Sequence, residues 1–238
     1  MKKINIFKVG TTFPALAHNH GDFDRWTMEG LGIGEIETCV LDVEHGASLP
    51  APEDCAGVII TGSHSMVTDN LPWSIQLEQW LPLLIQAEVP LLGICYGHQL
   101  LARALGGEVG YHPAGKEIGT VAIRLLAEAS DDPLLHSLPL SFPAHATHSQ
   151  SALKLPPGSV HLAESEHESN HAFRIGNCAW GVQFHPEFNA AIMRSYIEHQ
   201  DKDLTSTGMD TVKILGTVEE TPVAAEVLAC FARIVFQR

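Results

Sequence analysis

A short apolar run, Leu91-Leu92-Gly93-Ile94, passes through Cys95-Tyr96-Gly97 into Leu- and Ala-rich sequence with helical spacing, closed by Gly106-Gly107. A strand, a tight turn and a helix in immediate succession satisfy that pattern, and they meet at one thiol. Glycines at both second neighbours of Cys95 relieve the crowding of such a turn, which is the layout of a nucleophile elbow. The start of a helix stabilises negative charge, so a thiol presented there is favoured as its anion. Buried cysteines commonly do no more than fill space. A packing cysteine has no use for glycines on either side, and the functional reading is preferred.

The rest of the chain supplies a frame for that turn. Residues 4–9 read as a first strand, and 11–24 have a loop composition, with a helix expected over 22–31. Residues 36–41 read as a second strand, and 57–61 as a buried parallel strand closed by Thr61-Gly62-Ser63 at the carboxyl edge of the sheet. Trp73, Leu77, Leu81 and Leu84 share one helical face in a segment over 73–88 that Pro82 interrupts. This alternation predicts an α/β fold: a doubly wound, mostly parallel sheet with flanking helices. Beyond Gly107 the texture changes to short β-like runs at 121–126, 140–142, 160–163, 172–175 and 179–184, suited to a small antiparallel, meander-like sheet. Helices are expected over 190–199 and 222–236. Between them 200–220 is polar and weakly patterned, and reads as a mobile linker or arm.

Composition limits what the frame can do. With 14 basic against 28 acidic residues the net charge is −14, which argues against nucleic acid or an anionic membrane as the main partner. The five cysteines, Cys39, Cys55, Cys95, Cys178 and Cys230, are scattered and include no Cys-x-x-Cys pair. A reducing compartment is therefore the default. Asn5 and Lys8 interrupt any signal-peptide core after Met1-Lys2-Lys3, and no run approaches a membrane span. A soluble cytoplasmic protein is expected.

A thiolate attacking a carbonyl needs a base, a group that orients the base, and donors for the developing oxyanion. Gly181-Val182-Gln183-Phe184-His185-Pro186-Glu187 offers the first two. Pro186 biases His185 to an extended backbone, and the two-residue spacing puts His185 and Glu187 on the same side. Oxyanion donors are expected from the backbone N–H groups of Tyr96, at the helix start, and of Gly62-Ser63, at the strand end.

The segments Gly93-Ile94-Cys95-Tyr96-Gly97-His98-Gln99 and Gly181-Val182-Gln183-Phe184-His185-Pro186-Glu187 closely resemble the class I glutamine amidotransferases, whose triad is Cys, His and Glu in this order. Thr61-Gly62-Ser63-His64-Ser65-Met66-Val67 is similar to the family's oxyanion strand-loop, and the resemblance extends over about residues 4–188. It implies a class I amidotransferase domain over 1–199, with 200–238 a C-terminal linker and helix packed on it. It also implies a flavodoxin-like fold, with Cys95, His185 and Glu187 as the catalytic residues and no cofactor or metal. Gln99, one helical turn beyond Cys95, matches a position that contacts the glutamyl group. The chain departs from the family pattern at His148-Ser149-Gln150, where His-Gly-Asp stands in the relatives of the GMP synthase kind, and at His171, often Gln. His148 and Gln150 are the further candidate substrate contacts.

The implied reaction is attack of Cys95 on the glutamine side-chain amide, giving a γ-glutamyl thioester and ammonia for transfer. The expected partners are glutamine or another γ-glutamyl compound and, as one alternative, a separate synthase subunit, since no P-loop domain follows. A γ-glutamyl peptidase and a non-catalytic regulatory relative are the other readings; the intact Cys95, His185 and Glu187 speak against the last. His167-Glu168-Ser169-Asn170-His171 matches the zinc motif His-Glu-x-x-His letter for letter. That motif works only on a helix. Here it lies between β-like runs and reads as a polar loop.

Overall fold

The computed structural model describes residues 2–34 and 37–237. A nine-stranded sheet carries the order β2-β1-β3-β4-β11-β10-β9-β6-β7, where β1 is Lys3–Lys8, β2 Thr38–Asp42, β3 Cys55–Ile60, β4 Leu91–Ile94, β6 Glu117–Leu125, β7 Ser141–His148, β9 Val160–Glu164, β10 Ala172–Ile175 and β11 Ala179–Val182. From β2 to β11 the neighbours are parallel, and from β11 to β7 they are antiparallel. Two further strands, β5 (Glu108–Tyr111) and β8 (Gln150–Lys154), form a separate antiparallel pair. With helices flanking the sheet, this is the expected α/β architecture.

Alternation along the parallel strands sends side chains to two separate cores. Ile4, Ile6, Ile59, Leu92 and Ile94 face the side covered by Leu31 of α2 (Phe23–Leu31) and by Ala224, Val227, Leu228 and Phe231 of α8 (Pro222–Phe236). Phe7, Val58, Ile60 and Leu91 face the other side, under Leu77, Leu81 and Leu84 of α3 (Pro72–Gln86) and Leu100 and Leu101 of α4 (Tyr96–Ala104). Strands buried on both faces read as continuous apolar runs, which is why 57–61 and 91–94 are conspicuous. Register then sets the site. Ile60 pairs with Gly93, and Gly181 and Val182 pair with Gly93 and Ile94, so the carboxyl ends of β3, β4 and β11 lie level with one another.

Several expectations need correction. The 11–24 stretch holds a helix, α1 (Pro14–His20), which Pro14 opens and buried Leu16 anchors. Pro is pre-organised for the first helical turn, a signal outweighed by the surrounding polar residues. The 73–88 helix is not interrupted: α3 runs through Pro82, its packing of Leu77, Trp80, Leu81 and Leu84 outweighing the lost backbone bond. Residues 200–220 are no linker. They form α6 (Asp201–Ser206) and α7 (Thr211–Gly216), after α5 (Ala190–His199). Asp210 caps α7 through Lys213 N at 3.0 Å, and the Arg194 guanidinium donates to Leu215 O and Val218 O at 2.7 and 2.6 Å. The expected small antiparallel sheet is the β5–β8 pair, built from strands outside the predicted runs, which instead extend the main sheet as β6, β7, β9, β10 and β11, and β7 reaches well past 140–142. Of the second predicted strand, Ile36 lies outside the described residues and the strand begins at Thr38. Among the described residues no helix is long and apolar enough to cross a membrane.

The strand leading to His185 is pinned by a buried carboxylate. Asp132 accepts from Leu134 N and Leu135 N at 2.9 and 3.2 Å, from Trp180 Nε1 on β11 at 3.1 Å, and from Arg174 Nε at 2.8 Å. Asp132→Ala strands several of these donors and is expected to cost about 2–4 kcal/mol. A lower urea midpoint with an unchanged slope is the measurement that checks it.

Candidate active site

Backbone strain is concentrated at the thiol. Cys95 sits at φ 48° and ψ −95°, between the last residue of β4 and the first of α4. A side chain at φ > 0 is costly outside glycine and persists only where its surroundings hold it. Those surroundings are two close backbone approaches. A Cβ on Gly93 would lie 2.4 Å from Gly97 O, and one on Gly97 would lie 2.6 Å from Ile60 O. Cys95 N donates to Val182 O at 2.8 Å, and Gln99 N donates back to Cys95 O at 3.1 Å, locking the turn between β11 and its own helix.

His185 and Glu187 occupy the loop that leaves β11. His185 Nδ1 bonds Glu187 Oε1 at 2.8 Å, its backbone N–H donates to His145 O at 2.8 Å, and its ring stacks on Phe188 at 4.1 Å between centroids. The predicted contact is observed, but through a turn and not an extended segment: Phe188 N donates to His185 O at 3.4 Å, and the chain bends at Pro186 and Glu187. The opposite ring nitrogen, Nε2, is buried and makes no hydrogen bond within ordinary limits. Cys95 lines the same cavity and acts on the ring electrostatically. Burial alone would depress the imidazole, but the negative charge of Glu187, then of Cys95, outweighs it and the group is pushed up to about 10. The arrangement suits an imidazolium, held on one side by Glu187 and facing the cavity of the thiol on the other.

A cavity of about 330 Å³ opens above the thiol. Ser63 and Tyr96 line it, and Gly62 lies against the imidazole, where an added Cβ would sit 2.9 Å from His185 Cε1. Gln99, His148 and Gln150 also line it, but their polar atoms are largely committed to the wall. Gln99 Nε2 donates to Gln150 O at 2.7 Å and to Gln183 Oε1 at 3.0 Å. Gln150 Nε2 donates to Thr68 Oγ1 at 2.6 Å, and His148 is bonded at both ring nitrogens, to Glu117 Oε2 at 2.9 Å and Gln150 O at 3.0 Å.

Sequence reasoning missed much of the opposite wall. His64, Lys116, Tyr196, His199, Gln200 and Asp203 all line the cavity. Tyr196 OH joins Thr12 Oγ1 at 2.8 Å to His64 Nε2 at 3.1 Å. Burial, then the charges of Lys116 and His185, pull His64 down to about 4, so it is neutral near pH 7. Lys116 Nζ reaches Gln200 Oε1, and burial lowers the ammonium while Cys95 and Asp203 oppose that shift. Three of these residues fall in or just before the segment expected to be a linker, and no motif marks them.

The His-Glu-x-x-His stretch is a loop, as expected. Glu168 turns inward to accept from Ser151 Oγ and from Asn170 N at 2.7 Å, and His171 is buried apart from His167.

A family model for class I glutamine amidotransferases matches residues 33–201. The chain is 38% identical over 141 residues to the glutamine-hydrolyzing GMP synthase of Porphyromonas gingivalis, covering 57% of this chain and 26% of that protein. It thus spans about a quarter of that relative's length. A glutamine-hydrolyzing GMP synthase subunit from Archaeoglobus fulgidus is 32% identical over 187 residues, covering 76% of this chain and 94% of that relative. In structure, a glutamine amidotransferase from Thermotoga maritima superposes with a TM-score of 0.76 over 100% of both chains at 23% identity, a likeness of fold.

The His185 shift has a consequence for stability. Its folded value, about 10, lies above the ordinary 6.5, so the stabilisation it gives is complete below the ordinary value and is lost as pH rises through about 10. The stability advantage of wild type over Glu187→Gln is therefore expected to shrink between pH 7 and 10. Urea unfolding of both proteins across that range tests it, and a constant difference would refute the charged pair. Sequence, fold and site geometry agree, and the chain belongs to the class I glutamine amidotransferase family.

Proposed function

We propose that the protein hydrolyses the side-chain amide of glutamine through a γ-glutamyl thioester on Cys95 and releases ammonia for transfer. The observation that carries this reading is the His185 imidazole, fixed by Glu187 at 2.8 Å on one nitrogen and turned with the other toward the cavity that holds Cys95. Sγ of Cys95 attacks the amide carbon, and the oxyanion is taken by backbone N–H groups of Gly62, Ser63 and Tyr96. His185 gives its proton to the leaving nitrogen as the C–N bond breaks. It then draws a proton from the water that opens the thioester, releasing glutamate. Glu187 keeps the imidazole oriented through both steps and stabilises its charged form whenever it holds the proton. Gln99, His148 and Gln150 shape the wall against which the glutamyl group packs.

The ammonia acceptor would be bound by a separate synthase subunit; the Archaeoglobus relative is itself named as one subunit of a synthase. The free chain is then expected to be slow until the partner aligns the 61–63 loop. A second reading, hydrolysis of γ-glutamyl peptides, is favoured by the reach of the cavity to Lys116, His199 and Asp203. Side chains of both charges there suit a zwitterionic leaving group.

Incubating the protein with glutamine, and separately with γ-glutamyl dipeptides, followed by acid quench and mass spectrometry, should reveal a γ-glutamyl adduct on Cys95. Cys95→Ala should abolish the adduct and lower turnover by about 10³-fold or more, and Glu187→Gln should lower turnover by about 10²–10⁴-fold. Turnover by Cys95→Ala equal to wild type would sink the mechanism. The substrate that gives the adduct separates the two readings.

A further inference from the structure

Beside the thiol cavity, Glu117 of β6, His148 of β7 and His171 just before β10 converge, all three buried. His148 Nε2 and His171 Nε2 approach the same oxygen, Glu117 Oε2, at 2.9 and 3.1 Å, and the three atoms lie within 4.8 Å of one another. The bonding of His148 is what makes this cluster unusual. Its Nδ1 faces the carbonyl oxygen of Gln150 at 3.0 Å, while its Nε2 faces a carboxylate. A neutral imidazole has one N–H and cannot donate in both directions. A neutral ring that donates from Nδ1 to Gln150 O turns a bare Nε2 lone pair toward the carboxylate, and either a proton shared with Glu117 or a metal ion between the two relieves that contact. The second option also gathers His171 Nε2 and the carboxylate into one coordination sphere.

We propose that Glu117, His148 and His171 form a divalent-metal site of the kind that takes zinc. Two imidazoles and one carboxylate are zinc donors, and Zn–N and Zn–O bonds of about 2.0–2.2 Å place tetrahedral donor atoms roughly 3.3–3.5 Å apart. The observed 2.9 and 3.1 Å need to open by a few tenths of an ångström, and the two imidazole nitrogens, within 4.8 Å of each other, need to settle at the same spacing. The outer shell suits a metal as well. His148 Nδ1–H donates to a backbone carbonyl, the arrangement that fixes a metal-binding tautomer, and Glu117 Oε1 accepts from Ser165 Oγ at 3.1 Å. His171 Nδ1 is buried without a protein partner, so the second imidazole lacks the outer-shell acceptor that His148 has. An entry path exists on two sides: His148 lines the thiol cavity, while Glu117 and Ser165 line a second cavity of about 590 Å³. Stacked His112 and His167, 4.3 Å between centroids, lead outward from the cluster. An ion here ties β6, β7 and the segment entering β10 together, and so stiffens the wall opposite the thiol. The site does not depend on the reaction proposed for Cys95.

The test uses the full chain stripped with a chelator, dialysed against Zn²⁺ and assayed for bound metal, with thermal unfolding measured with and without Zn²⁺. Wild type and Cys95→Ser should each hold one tightly bound ion, and Zn²⁺ should raise the unfolding midpoint of both. His171→Gln keeps an N–H donor for Glu117 but removes a ligand. It should unfold near the wild-type temperature without metal, bind Zn²⁺ at least about tenfold more weakly, and lose the Zn²⁺-dependent rise. Glu117→Gln should weaken binding in the same way. The proposal is overturned if wild type binds no Zn²⁺ at micromolar concentrations. It is equally overturned if binding disappears in Cys95→Ser, or survives unchanged in His171→Gln, since the ion then sits elsewhere.

Discussion

The close backbone packing of three strand ends governs the rest of the site. Gly97 O stands where a Gly93 Cβ would be, and Ile60 O where a Gly97 Cβ would be, so β3, β4 and the first turn of α4 are as near as main chains can come. Within that tight approach Cys95 makes the turn from β4 into α4 at a positive φ of 48°. The same contact brings the 61–63 loop beside the thiol. The hydrogen bond from Cys95 N to Val182 O then ties the turn to β11, from which the His185 loop departs. Strain at one residue is thus maintained by contacts among its neighbours, and relaxing it would require separating two parallel strands buried on both faces.

This dependence explains which parts of the site are legible in the sequence. Gly93, Gly97 and Gly62 are glycine because backbone or ring atoms occupy the space of a side chain, and such constraints leave fixed letters at fixed spacing. His185 and Glu187 act through a two-residue geometry that the turn at Pro186 and Glu187 sets locally. Strands 57–61 and 91–94 are visible because burial on both faces leaves uninterrupted apolar runs. In each case a short-range cause produces a short-range pattern.

The second wall has no such cause. Tyr196, His199, Gln200 and Asp203 reach the cavity because α5 packs through Ile192, Met193, Tyr196 and Ile197 onto a satellite core and α6 follows it by a single buried anchor, Leu204. Helices of six residues, α6 anchored by Leu204 and α7 by the Asp210 cap with half-buried Ile214 and Leu215, carry almost no periodicity, so 200–220 has the look of a linker. In the same way, β5 and β8 pair across about forty intervening residues, and β7 hides its alternation behind Pro143, His145 and His148. What is not legible is the part of the fold fixed by tertiary contact.

Charge separates the two walls in a way that bears on what enters between them. The protein carries a net charge of −14, yet the cavity presents His185, whose charge is held by Glu187 and Cys95, and Lys116, partly buried near Asp203. Over distances beyond the Debye length, about 8 Å at physiological salt, the surface field is screened, and within it the approach of a polyanion is opposed. A zwitterion with no net charge feels little of that barrier. Once inside, its carboxylate and ammonium meet fixed cationic and anionic side chains in a medium less polar than water, where short-range pairing is strong. An acidic exterior and a cavity of mixed charge therefore set a higher barrier for polyanions than for a small neutral zwitterion such as the glutamine of the proposed reaction.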